Sequence, residues 1–146
     1  MDGYNFSAAA RRVISAAHLE AAARDHEYIG TEHLLLSAIR RPDEGAALLL
    51  GRLGVDIHAL RIAIEELAPS GKKPLDPDRE RPWTSGGQKV LEFAMMYARE
   101  EGRVEVDPGH LLVALLRVEK GIAAQVLRRA GVSAEHVVAA RAQAAS

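Results

Sequence analysis

Shifting the sequence by 77 positions, the separation of His33 from His110, lays one half on the other without a gap. His33-Leu34-Leu35 falls on His110-Leu111-Leu112, and Arg40 on Arg117. Ala46-Ala47 falls on Ala123-Ala124, Leu50 on Leu127, Arg52 on Arg129 and Gly54-Val55 on Gly131-Val132. A duplicated unit carries its own comparison: features kept in both copies serve the fold, and features of one copy alone are candidates for function. With 146 residues the chain has the length of about one domain, so the halves are expected to pack as one pseudo-symmetric body.

Apolar residues make up 48% of the chain but aromatics only 4%, which leaves Ala, Leu, Val and Ile, a helix-forming mixture, to build the core. Each copy reads as four helices. In the first copy, Ser7 is the expected N-cap of a helix running to about Arg24, with Phe6 just outside it as a staple. His26 to Gly30 is an extended turn. A short helix follows from about Thr31 to Arg40, then one from about Glu44 to Leu53 that Gly54 ends, and a fourth beginning at Asp56. The second copy repeats this order from Trp83-Thr84. Asp107 before Pro108 is a clear helix start, because the carboxylate caps and the proline gives up no needed hydrogen bond. Residues 68–82 hold four prolines and many charges, the composition of an exposed linker. Strand-like alternation is confined to Val104–Val106.

Several functions lack a basis in these residues. Without cysteine there is no thiol catalysis, disulfide or cysteine-ligated zinc, and an intracellular, cytoplasmic location is expected. A net charge of -1 without a basic stripe argues against nucleic acid and anionic membranes as partners, and few aromatics argue against base stacking. No apolar run approaches the roughly 18 residues of a bilayer span. Pro69-Ser70-Gly71-Lys72-Lys73 lacks the first glycine and the hydroxyl residue of a phosphate-binding P-loop. His18, His58 and His136 have no matching metal ligands, and no nucleophile and base are paired, so neither enzyme activity nor a cofactor is expected. His33 and His110, kept in both copies, read as buried and hydrogen-bonded.

Phe6-Ser7-Ala8-Ala9-Ala10-Arg11-Arg12-Val13 and His26 through Leu36, followed by Gly45-Ala46-Ala47 and Leu53-Gly54-Val55, resemble the N-terminal domain of the Clp unfoldases, most of all the ClpC branch. The resemblance restarts at Trp83-Thr84 and runs through His110-Leu111-Leu112 to Gly131-Val132. It implies an all-α domain of two four-helix Clp repeats related by a pseudo-two-fold axis: repeat one 4–67, linker 68–82, repeat two 83–142. It also implies a chaperone-associated module of proteolysis that receives substrates and adaptors, that in some relatives binds phosphoarginine, and that in others is the target of cyclic peptide antibiotics.

By that resemblance Ser7, Gly30, Thr31 and Glu32 are the phosphoarginine candidates, Glu32 pairing with the guanidinium while amides and a hydroxyl take the phosphate. For Glu32 alone, the favourable field at a helix N-terminus is a sufficient account. Repeat two departs: Asp107, Pro108 and Gly109 stand for Gly30, Thr31 and Glu32, so its site is expected to be lost although Thr84 survives. Phe6, Trp83, Thr84, Gln88, Leu91 and Met95 are the candidates for a peptide or antibiotic groove, helical spacing favouring core packing for most of them. Gly3 and Gln88 depart from relatives, which often have an aromatic and a lysine there.

The expected function is a non-enzymatic protein- and peptide-binding module of a Clp protease system, an adaptor or a decoy for ClpC. Its alternative is a structural accessory subunit docking on the Clp protease core or ring. The initial methionine and the ordinary Ala-rich end lead us to expect a freestanding protein.

Overall fold

The computed structural model describes residues 5–145. Tyr4 and Gly3 lie outside them. Eight helices follow one another: α1 (Ala8–Ala23), α2 (Thr31–Ala38), α3 (Gly45–Arg52), α4 (Ile57–Leu67), α5 (Ser85–Glu100), α6 (Pro108–Arg117), α7 (Ile122–Arg129) and α8 (Ala134–Ala145). The fold is all-α, with two strands of two residues each, β1 (Asn5–Phe6) and β2 (Glu105–Val106). The expected starts hold because the caps are real. Ser7 Oγ accepts from Ala10 N at 3.0 Å, and Thr84 Oγ1 from Gly87 N at 3.0 Å. Asp56 and Asp107 cap α4 and α6 in the same way, through Ala59 N and His110 N.

Every residue of α2 is buried, as is α6 up to Leu116. A helix buried on all sides belongs at the centre, and these two equivalent helices meet there. Each fully buried leucine among Leu34, Leu35, Leu111 and Leu112 contributes about 2 kcal/mol through the apolar area it removes from water. α1 lies close on α2 because Ala10, Ala17 and Ala21 face it, and α5 on α6 because Gly87, Ala94 and Ala98 stand at the matching positions. The C-terminal cap expected at Gly54 recurs at Gly131, with φ of 82° and 84°.

The strands were not foreseen at Asn5–Phe6, yet they carry the pseudo-two-fold. β1 pairs in parallel with β2, Phe6 opposite Val106, and Trp83 pairs in parallel with Ile29. These are the same pair exchanged between copies. Ser7 N donates to Val106 O, and Thr84 N to Ile29 O, both at 2.9 Å. Each repeat therefore enters its first helix by way of the other repeat's turn.

The segment 68–82 is mostly exposed, as expected, but it is strapped to repeat one. Gly71 N donates to Arg24 O at 2.8 Å, and Leu75 N to Asp25 Oδ1 at 3.0 Å. Arg81 is buried: Nε donates to His26 O at 2.7 Å, and Nη1 and Nη2 reach Pro77, Arg79 and Asp76 carbonyls. Arg81→Ala strips these carbonyls of a charged donor. It should destabilise the protein by about 2 kcal/mol in urea titration, whereas Lys73→Ala, on the exposed part, should leave it unchanged.

Candidate functional site

The entrances of α2 and α6 share one device. Gly30 N donates to His33 Nδ1 at 2.9 Å, and Asp107 N to His110 Nδ1 at 2.8 Å. Histidine thus takes the part that glutamate plays in an ordinary capping box. Since Nδ1 accepts in both rings, the proton sits on Nε2, and the two copies diverge at that atom.

In repeat one, His33 Nε2–H donates to His26 Nδ1 at 2.7 Å, and His26 Nε2–H donates to Pro69 O at 2.9 Å. The chain of two rings ends on the linker. Burial first, then positive charge around the ring, that of Arg24 and Arg81 included, lowers the His33 pKa to about 3. The helical spacing that His26 and His33 lack is irrelevant here, because the turn itself folds one ring onto the other.

In repeat two, His110 Nε2–H donates to Glu101 Oε1 at 2.8 Å. Beside it lies Arg141 of α8, whose Nη1 donates to Asp107 Oδ1 at 2.6 Å and Nη2 to Glu101 Oε1 at 2.8 Å. Tyr97 lies 5.8 Å from the guanidinium carbon. Burial pushes the Glu101 carboxyl up, but the bonds from Arg141 and His110 outweigh it and hold the pKa at about 2. A side chain at Gly109 would collide with Arg141 Nη1. The chain's own guanidinium therefore fills the space that the glutamate of repeat one commands by position.

In repeat one that space is held differently. Glu32 is only 4% exposed, bonds its own backbone amide, and makes no ion pair among the described residues. Its carboxylate folds over Gly30, where a Cβ would strike it. Burial raises its pKa, against the opposing pull of the amide and of His26. The nearest counterpart of Arg141 is Ile64, fully buried and apolar. Arg24, which stands where repeat two has Glu101, is spent on Glu20 at 2.8 Å and Glu65 at 3.6 Å. Among the described residues repeat one thus presents a buried carboxyl without an ion-pair partner, and repeat two a compensated set.

The structure regroups the phosphoarginine candidates. The exchanged strands seat Thr84, not Ser7, beside Ile29 and the entrance of α2, while Ser7 sits beside Val106 and the entrance of α6. Thr31 is buried, and its Oγ1 accepts from Ala123 N at 3.3 Å, standing in for the side chain that the N-cap Gly121 of α7 lacks. Gly30, Glu32 and Thr84 remain together. Among the groove candidates Phe6 and Leu91 belong to the core, whereas Trp83 and Met95 are half-buried and Gln88 is exposed. Spacings of three and four put Gln88, Leu91 and Met95 on one face of α5, with Thr84 at its N-cap. Arg141 and Glu101 escaped sequence reasoning. The signal was present in the repeat, where a charged Arg141 matches an isoleucine. Among the described residues, no group of three or more His, Asp or Glu side chains gathers as a metal site, and no helix is long and apolar enough to cross a membrane.

A body of two four-helix repeats that trade their entering strands defines a class of helical domain built by duplication. The chain matches the Clp repeat (R) N-terminal domain family over residues 5–130 and 83–145, and it belongs to that family. It is 34% identical over 128 residues to the negative regulator of genetic competence ClpC/MecB of Bacillus subtilis, covering 88% of this chain and 15% of that protein. The chain therefore spans about one-seventh of that relative's length. It is 28% identical to the N-terminal domain of the chaperone ClpD from Arabidopsis thaliana, with a TM-score of 0.70 over 93% of this chain and 91% of that one. A ClpV N-domain in complex with a VipB peptide shares the fold at 17% identity, TM-score 0.64, over 84% and 82% of the two chains.

His33 gives a pH dependence with a defined sign. Its pKa is lower in the folded state than in the unfolded chain, so the stability held by the neutral ring is complete above about pH 6.5 and is lost as pH falls from there toward 3. Urea titrations across this range should show unfolding coupled to proton uptake, and His33→Gln should flatten that component. Equal slopes for the two proteins would contradict the neutral His33 ring.

Proposed function

We propose that the protein is a non-enzymatic binding module of a Clp protease system that captures an arginine-bearing or phosphoarginine-bearing segment of a substrate or adaptor through repeat one. The observation that supports it most is Glu32, a buried carboxylate with no ion-pair partner among the described residues, set against the matching pocket of repeat two, which already holds the guanidinium of Arg141. A carboxylate kept desolvated without a partner lowers stability, and an incoming guanidinium offsets that cost by a charge-assisted pair. Glu32 is the guanidinium ligand in this reading, and Gly30 keeps its approach clear. The phosphate falls toward Thr84, whose hydroxyl accepts from Gly87 N and still has its proton to donate. Ser7 and Thr31 act as supports rather than ligands.

Repeat two is closed to the same ligand by Arg141, so one site per chain is expected. The exposed Gln88 with the half-buried Trp83 and Met95 supports a second, apolar surface for a cyclic peptide, by which the module acts as a decoy for ClpC.

Calorimetric titration with phosphoarginine tests the main reading. One site per chain is expected, and Glu32→Gln should weaken it by about 3 kcal/mol. Two equivalent sites, or binding untouched by Glu32→Gln, would overturn it. Without ligand the same substitution should raise Tm at pH 7.5, because a carboxylate whose pKa folding raises loses stability as pH rises through that value. The advantage should vanish in acid, where Glu32 is neutral too.

A further inference from the structure

The repeat comparison also exposes a groove away from the entrance of α2. Along α1, Ala9, Ala16 and Ala23 form its floor, with Ala38 and Ala46 from the facing elements and Pro108 at one end, enclosing about 620 Å³. Its counterpart in repeat two, between α5 and α6, is about 240 Å³. The side chains explain the difference. Phe93, Met96 and Glu100 stand where repeat one has Ala16, Leu19 and Ala23, and they fill their own groove. The fold thus shows twice what geometry this cleft has, and once what chemistry fills it.

The rim sets the charge of what comes from outside. Arg12, Arg40 and Arg41 stand on it with side chains 52%, 58% and 67% exposed. Glu20 is buried beneath and wholly engaged, accepting from Arg40 Nε at 2.7 Å and Arg24 Nη1 at 2.8 Å. Glu44 is the one exposed carboxylate of the rim, shared by Arg12 at 3.6 Å and Arg41 at 3.4 Å. With Arg40 paired to Glu20, and Arg12 and Arg41 sharing Glu44, the rim keeps cation in excess of anion around an apolar floor. Leu19, 66% exposed, lies at its lip.

We infer that this groove docks an acidic amphipathic segment of a partner protein, a Phe side chain entering over Ala16 as Phe93 does in repeat two, its other apolar side chains following the alanine floor toward Ala23, and its carboxylates meeting Arg12, Arg40 and Arg41. From Ala9 to Ala23 the floor runs about 21 Å along α1 at the helical rise, room for four turns of a helix laid beside it. The alanine floor lets that helix approach closely. This surface is independent of Glu32 and stands or falls separately from the guanidinium pocket.

The test uses the full chain and a fluorescein-labelled 16-residue helical peptide with Phe and Met at i, i+4, i+7 and i+11, the other positions mostly Glu and Ala. A second peptide replaces each Glu by Lys. Anisotropy should show saturable binding of the acidic peptide, at least about tenfold tighter than the basic one, and falling about tenfold as salt rises to 0.5 M. Ala16→Phe, which copies repeat two, should remove binding, and the exposed double change Arg12→Glu, Arg41→Glu should weaken it at least about tenfold without moving Tm. Glu32→Gln should leave it unchanged. No binding of the acidic peptide, equal binding of both peptides, or binding that survives the Arg12/Arg41 reversal would overturn the inference.

Discussion

The reciprocal pairing of Phe6 with Val106 and of Trp83 with Ile29 is the constraint on which the rest of the molecule depends. It comprises few hydrogen bonds, but each one joins residues far apart in sequence and fixes where a first helix begins. Thr84 reaches the entrance of α2 only because Trp83 pairs beside it, and Ser7 reaches the entrance of α6 only because Phe6 does. The contact of Thr31 with the start of α7 depends on the same register. A slip of one residue would turn Phe6 and Trp83 away from the core and misplace both caps.

Beneath that pairing, one histidine per repeat does two jobs with its two nitrogens. Nδ1 is bound to the backbone in both copies and so belongs to the fold. Nε2 is thereby forced to be a donor, and what it donates to differs: a second imidazole in repeat one, a carboxylate in repeat two. The difference sets the electrostatics of each helix entrance. The imidazole relay brings no guanidinium, and among the described residues Glu32 has no ion-pair partner. The carboxylate of Glu101 calls in Arg141, which then also answers Asp107.

The helices were legible because their ends carry unambiguous chemistry: Ser7, Asp56, Thr84 and Asp107 as caps, Gly54 and Gly131 as stops. His33 and His110 were legible as structural because both copies hold them and only one has an acidic neighbour at the helix start. Two-residue strands have no period to detect, so β1 was missed. Arg81 looked like part of a solvated linker because a guanidinium buried against backbone carbonyls leaves no mark in a Pro- and charge-rich segment. The family resemblance grouped Ser7 with Glu32, and chain order gives no sign that strand exchange seats Thr84 beside Ile29 at the entrance of α2 and Ser7 beside Val106 at the entrance of α6. Arg141 was hidden because its partners, Glu101 and Asp107, lie 40 and 34 residues away, and only its clash with the matching Ile64 pointed to it.

Arg141 also governs access to the entrance of α6. A guanidinium carried on α8 faces Asp107 and Glu101 at an effective concentration of about millimolar or more, set by the chain rather than by the solution. A free guanidinium at micromolar concentration cannot compete with it by mass action. The entrance of α6 is therefore held by a guanidinium of the chain's own α8, and any change that unseats α8 uncovers the carboxylates of Asp107 and Glu101 together.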